Sequence, residues 1–146
     1  MRNHMGSKRP TGFSLIELLV AVAILAIIMA IAVPSYQQYI IKSHRIDAVQ
    51  SLTDLSNRLE RYYTENNTYA SATIGAAAAT DVLPAAGSSG GYYDLSIVSA
   101  GTTAHAYTIQ ATAKGAQSSD TVCSNFTLTD TGILGVSGSG SVIDCW

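Results

Sequence analysis

Residues 13–33, FSLIELLVAVAILAIIMAIAV, restrict what this chain can fold into more than any other stretch. A helix of about 20 apolar residues crosses the ~30 Å hydrocarbon core of a bilayer. Arg2, Lys8 and Arg9 lie ahead of the run. They hold that end in the cytoplasm, so the rest of the chain emerges on the far side. A secretory signal peptide is also basic and then apolar, but its apolar part is shorter and its small-residue cleavage site comes afterwards. Here the small residue, Gly12, comes before the run. Met1 and Met5 are both candidate starts, and Lys8, Arg9 and Gly12 survive either choice.

Glu17 breaks the run. A carboxylate deep in a bilayer costs on the order of 3 kcal/mol on insertion scales, which makes it a functional candidate whose partner should be named. If the chain is cut between Gly12 and Phe13, a new α-amine appears four residues before Glu17. The pair would attract strongly in a dry setting, within one chain or between two. Between two chains it would set the register of packed helices. The alternative is that Glu17 snorkels to the interface at the helix end. The residues alone leave both open.

After Pro34 the pattern changes. Ile46, Val49, Leu52, Leu55 or Ser56, Leu59, Tyr62 and Tyr63 recur at three to four residues, which predicts one apolar helical stripe. Asp47, Gln50, Asp54, Arg58, Glu60 and Arg61 read as its solvated face. Asn66-Asn67 is a natural stop. A single helix from residue 14 to about 65 is the simplest reading, about 78 Å long. Its outer half must pack against the later residues, and it lacks the sustained heptad of a coiled coil. Pro34 removes one helical hydrogen bond and should kink or loosen it. Residues 70–91 read as a connecting loop. Residues 92–98, 106–113 and 123–129 read as strands and 133–136 as a short fourth, with turns at 101–103 and 114–120. The fold class is α+β, a long N-terminal helix packed on a small antiparallel sheet of three to four strands. Residues 135–141, GVSGSGS, read as flexible.

Cys123 and Cys145 have no CxxC or Cys/His company, so a zinc site is not expected. Beyond a membrane they read as one disulfide in an oxidising compartment, the alternative being two buried thiols. The chain after Gly12 holds five Lys/Arg against ten Asp/Glu, which gives no electrostatic footprint for nucleic acid. His4, His44 and His105 are isolated, no catalytic motif is present, and no cofactor is implied. Asn66-Asn67-Thr68 and Asn125-Phe126-Thr127 fit a glycosylation pattern too common to carry a role.

Lys8-Arg9-Pro10-Thr11-Gly12 followed by Phe13-Ser14-Leu15-Ile16-Glu17-Leu18, with Pro34 beyond, resembles the class III signal of type IV pilins and pseudopilins. The closing Asp144-Cys145-Trp146 is similar to the tail of some type IVa minor pilins. The resemblance implies four segments. Residues 1–12 are a leader, 13–34 a transmembrane and filament-core helix, and 35–66 the amphipathic half of that helix. Residues 67–146 form a β-region with a disulfide loop, exposed in the family. It implies that a prepilin peptidase cuts after Gly12 and methylates the Phe13 amine, and that Glu17 pairs with that amine on a neighbour. In the family's filaments the stretch before the proline is partly unwound. The implied partners are other pilin subunits, the prepilin peptidase and an inner-membrane assembly platform. The chain would be a single-pass inner-membrane protein before assembly and part of a surface pilus afterwards, serving adhesion, motility or DNA uptake. Two alternatives are a type II secretion pseudopilin and a DNA-receptor pilin. The family's major pseudopilins hold their last loop with calcium, which Cys123 and Cys145 argue against. A receptor needs exposed cations, and Lys114 is the only one after Arg61.

Overall fold

The computed structural model describes residues 12–146, so Lys8, Arg9, His4 and most of the leader lie outside the described residues. The chain divides into two compact units, Met1–Gln38 and Tyr39–Trp146. One helix, α1 (Leu15–Asn66), contributes to both.

In the first unit, residues 15–38 are helical and exposed on every side. A helix apolar all round has no face to turn to water, so it must be buried in lipid or in other helices. It is long and apolar enough to cross a membrane. Hydrogen-bonded helix runs through Pro34 without interruption. The proline's missing N–H removes one bond of the ladder but does not end it.

In the second unit, α1 buries Ala48, Leu52, Leu55 and Leu59. Full burial of each leucine is worth about 1.5–3 kcal/mol. The expected stripe holds at Leu52, Leu55 and Leu59, with Val49, Tyr62 and Tyr63 packed against the core; Ile46 stays exposed, and Ala48 takes a core position instead. Arg45, Asp47 and Ser51 are buried beside it. Asp47 was expected on the solvated face. It is drawn inward because polar groups of a neighbouring loop satisfy it. Asn67 ends the helix with φ 56°, its N–H donating to the Tyr63 carbonyl at 2.7 Å, an asparagine version of the left-handed cap.

Six strands follow. β1 (Thr73–Ile74) and β2 (Asp81–Leu83) form a short parallel pair inside the stretch expected to be loop. Asp81 organises it. Its carboxylate accepts from the N–H groups of Ala76 and Ala78 and from the Thr73 hydroxyl, and these bonds, led by that of Thr73, hold it below the usual carboxylate range. The main sheet is antiparallel in the order β3 (Tyr93–Ile97), β4 (Thr108–Ala113), β5 (Phe126–Thr129), β6 (Leu134–Val136). Alternation turns Tyr93, Leu95, Ile109, Ala111 and Phe126 inward to meet the leucines of α1. A last turn of helix, α2 (Val142–Cys145), carries Cys145.

Candidate functional site

The first candidate surface is the start of α1. Gly12, Phe13 and Ser14 are non-helical, and the Ser14 carbonyl accepts from the Leu18 N–H at 3.2 Å. That places Glu17 in the first turn, where the positive end of the helix dipole favours a carboxylate. The effect is about 1 kcal/mol at most for an exposed group, which cannot offset an insertion cost near 3 kcal/mol. Glu17 and Phe13 share one exposed helix end, and Pro34 lies two turns beyond Ile27 on the same apolar helix. Met29, Ala32, Val33, Tyr36 and Gln37 line a shallow concavity around it.

The second candidate region is the disulfide-closed tail. Cys123 and Cys145 are bonded. Cys123 precedes β5 instead of lying in it, and both cysteines are buried. The bond therefore anchors the ends of the loop in the core, while nearly all the residues between them are exposed or half-buried. Trp146 packs edge-on against Phe126, and its Nε1 donates to the Gly135 carbonyl at 3.1 Å. The glycines of GVSGSGS are not loose. The Gly138 and Gly140 N–H groups donate to the carbonyls of Cys123 and Val122.

Two buried polar assemblies were not anticipated from the sequence. Arg45 is paired with Asp120, whose carboxylate also accepts from the Val122 and Cys123 N–H groups. Burial alone would raise the Asp120 pKa, but the Arg45 guanidinium and those two amides outweigh it and hold the carboxyl below its usual range. Asp47 collects the Ser88 hydroxyl at 2.5 Å and the N–H groups of Gly90 at 2.8 Å and Tyr92 at 3.4 Å. His44 stacks on Tyr92, with ring centroids 3.6 Å apart. A charge falling within the stripe's own phase, as Arg45 does, was the one available signal. His105 accepts or donates at Tyr63, 2.9 Å away. Lys114 is half-buried and paired with Asp94 at 2.6 Å.

Residues 34–127 match the model of a family described as type IV minor pilin ComP, DNA uptake sequence receptor. The chain belongs to the type IV minor pilins. Residues 7–33 of this minor pilin match the prokaryotic N-terminal methylation motif. It is 32% identical over 89 residues to fimbrial protein EcpC of Eikenella corrodens, covering 61% of this chain and 54% of that one. It is 34% identical over 65 residues to type II secretion system core protein G of Aeromonas hydrophila, covering 44% and 46%. These matches span about half the length of the curated relatives. Its fold is shared with the crystal structure of the Neisseria meningitidis non-core minor pilin PilV, at 16% identity and TM-score 0.51, over 70% of this chain and 92% of that one. Fold and family are those of structural subunits, not enzymes.

Proposed function

We propose that this minor pilin is held in the inner membrane by residues 13–33 and then assembled into a type IV pilus through the same helix. In this reading a prepilin peptidase cuts between Gly12 and Phe13 and methylates the new amine. Glu17 then pairs with that amine on a neighbouring subunit, supported by an inner-membrane assembly platform. One observation carries the reading. A helix with no polar face has a single charge, Glu17, in its first turn, four residues after a Gly-Phe junction. Mass spectrometry of sheared surface filaments tests it. The expected species begins at N-methylated Phe13. An uncut chain that is absent from the filaments rules the reading out.

A second reading, a receptor for DNA during uptake, is favoured by the description of the matched family. The charges of this chain oppose it. Residues 39–146 contain Lys42, Arg45, Arg58, Arg61 and Lys114, and three of these are in ion pairs with Asp120, Asp54 and Asp94. Phosphate contacts give binding that weakens steeply with salt. A salt-sensitive mobility shift of duplex DNA by the purified full chain would establish this role, and the absence of any shift at low salt would remove it. The likeness to core protein G keeps a secretion pseudopilin as a third reading, for which melting should depend on calcium.

A further inference from the structure

A groove of about 580 Å³ opens in the Tyr39–Trp146 unit between α1 and the disulfide-closed tail. Small-molecule sites run from roughly 300 to 1,000 Å³. The lining is mixed. Ile46, Val122 and Trp146 are apolar, and Lys42, Arg45 and Asp144 are charged. The charges are not equivalent. Arg45 is committed to Asp120. Lys42 and Asp144 are exposed, and neither forms an ion pair among the described residues, with the other or with a third group. The Asp144 carboxylate accepts from the Ser141 hydroxyl at 2.6 Å. One groove thus holds an ammonium and a carboxylate that do not neutralise each other. A simple anion or a simple cation would satisfy one and be repelled by the other. A zwitterion satisfies both.

The position of Lys42 in the chain narrows the choice of zwitterion. Lys42 follows Val33, the end of the apolar run, by nine residues, about 13.5 Å of helix. The headgroup layer on each side of a bilayer is roughly 5–7 Å deep. Helical side chains lean towards the N-terminus of their helix, which here is towards the membrane. The lysine stem is long and flexible, and it returns the ammonium to the headgroup layer while its methylenes lie along apolar surface. The residues just before Lys42 have the same character. Tyr36 and Tyr39 are 66% and 68% exposed, and tyrosines collect at the boundary between membrane and water. Ile46 is 61% exposed on the groove's α1 side, and Ile143, next to Asp144, is 93% exposed. Aliphatic surface of this kind is better covered by lipid than by water.

We propose that the groove binds the headgroup of a zwitterionic phospholipid with a primary amine, phosphatidylethanolamine, from the outer leaflet of the inner membrane. The lipid phosphate meets the Lys42 ammonium, the lipid ammonium meets the Asp144 carboxylate, and the glycerol end lies against Ile46 and Val122. The proposal rests on the reading that residues 13–33 hold the chain in that membrane. It adds a specific lipid contact outside the apolar helix. Phosphatidylglycerol carries the phosphate but no ammonium, so it would leave Asp144 facing a like charge.

Trp146 makes the test direct, because it lines the groove and is the only tryptophan. The full chain is placed in nanodiscs of mixed phosphatidylethanolamine and phosphatidylglycerol, with a nitroxide quencher near the glycerol of one lipid or of the other. In parallel, cell membranes holding the full chain are extracted with carbonate. Labelled phosphatidylethanolamine should quench Trp146 roughly threefold more than labelled phosphatidylglycerol. Lys42→Glu should abolish that preference and Lys42→Arg should keep it. Asp144→Lys should turn it towards phosphatidylglycerol. Equal quenching by the two labels, a preference that survives Lys42→Glu, or no quenching in a chain that resists carbonate would overturn the lipid contact and leave the membrane reading standing. A chain that carbonate strips from the membrane would overturn both.

Discussion

Arg45 and Asp120 are 75 positions apart in sequence and meet as a bidentate pair, with Nε 2.7 Å from Oδ2 and Nη2 2.8 Å from Oδ1. It is the one buried ion pair among the described residues; Arg58–Asp54 and Lys114–Asp94 are largely exposed. Removing one partner strands a buried charge, which typically costs 3–5 kcal/mol. We expect Asp120→Ala to lower unfolding stability by about that much. Trp146, the only tryptophan, reports the transition by fluorescence of the full chain in detergent. Arg45→Met with Asp120→Leu should lose less than either single change, because an apolar pair strands nothing. Equal losses in all three would show that the pair does not behave as a unit.

The same pair sets a pH dependence. The folded Asp120 carboxyl titrates below its ordinary value. Its contribution is therefore complete above the unfolded pKa of about 3.9 and disappears as pH falls through the lower folded value. Asp81 acts in the same direction. Unfolding free energy should thus fall below about pH 4. The fall should be shallower in Asp120→Asn, whose stability must be compared with its own value at neutral pH. An unchanged slope in that variant would assign the acid sensitivity elsewhere.

Tyr93 gives the opposite edge. Burial in the core pushes its phenol up, Asp120 adds to that, and the Gln117 hydrogen bond only partly offsets it, leaving it at about 12. The unfolded phenol ionises near 10. The folded state therefore keeps its full stability below about pH 10 and loses it as pH rises towards the folded value. Spectrophotometric titration should show Tyr93 ionising late, together with the buried Tyr69 and Tyr107, which are also raised chiefly by burial. In Tyr93→Phe the alkaline loss of stability should shrink. If the loss is unchanged, buried Tyr93 is not its source.

The disulfide closes a loop with a sequence separation of 22. Chain-entropy arguments assign such a loop about 3 kcal/mol, gained by restricting the unfolded chain. Cys123→Ala with Cys145→Ala should lower the urea midpoint accordingly, and the loss should be matched by the wild-type chain in strong reductant. A variant as stable as the oxidised protein would mean that Trp146 and the Gly138 and Gly140 hydrogen bonds hold the tail unaided.

The long helix and the four main strands were legible because each depends on a local period, 3.6 residues for α1 and two for the strands. The phase of the α1 stripe was read correctly from Val49 onward, but Ile46 is exposed and Asp47 buried, because an apolar count cannot anticipate that Arg45 and Asp47 would be buried by partners on distant loops. The β1–β2 pair was missed for a related reason. Its two strands, Thr73–Ile74 and Asp81–Leu83, are too short to show alternation, and Asp81 holds the Ala-rich connection between them through bonds specific to the folded loop. GVSGSGS was misread because glycine serves equally for freedom and for close approach. Here it is the latter, since a Cβ at Gly138 would overlap the Val122 carbonyl. Of the candidate site, the Gly12-Phe13 junction, Glu17 and Pro34 are one-dimensional signals that sequence displays in full. The Arg45–Asp120 pair is not, because it joins residues 75 positions apart.

Glu17 offers the most direct functional test. Replacing it with alanine removes an insertion cost of about 3 kcal/mol, so membrane levels of Glu17→Ala should equal or exceed those of the wild type. Its incorporation into filaments should nonetheless fall by roughly tenfold or more, equivalent to about 1.4 kcal/mol or more of lost pairing. Insertion and assembly therefore move in opposite directions, which separates a pairing role from a snorkelling one. A snorkelling carboxylate contributes nothing to assembly, and its loss would leave incorporation intact. Quantitative immunoblots of membranes and of sheared filaments from the same cells read both quantities. Glu17→Asp should show an intermediate result, because it keeps the charge but shortens its reach towards the Phe13 amine. If Glu17→Ala is incorporated as well as the wild type, the register of the packed helices is set by something other than this charge.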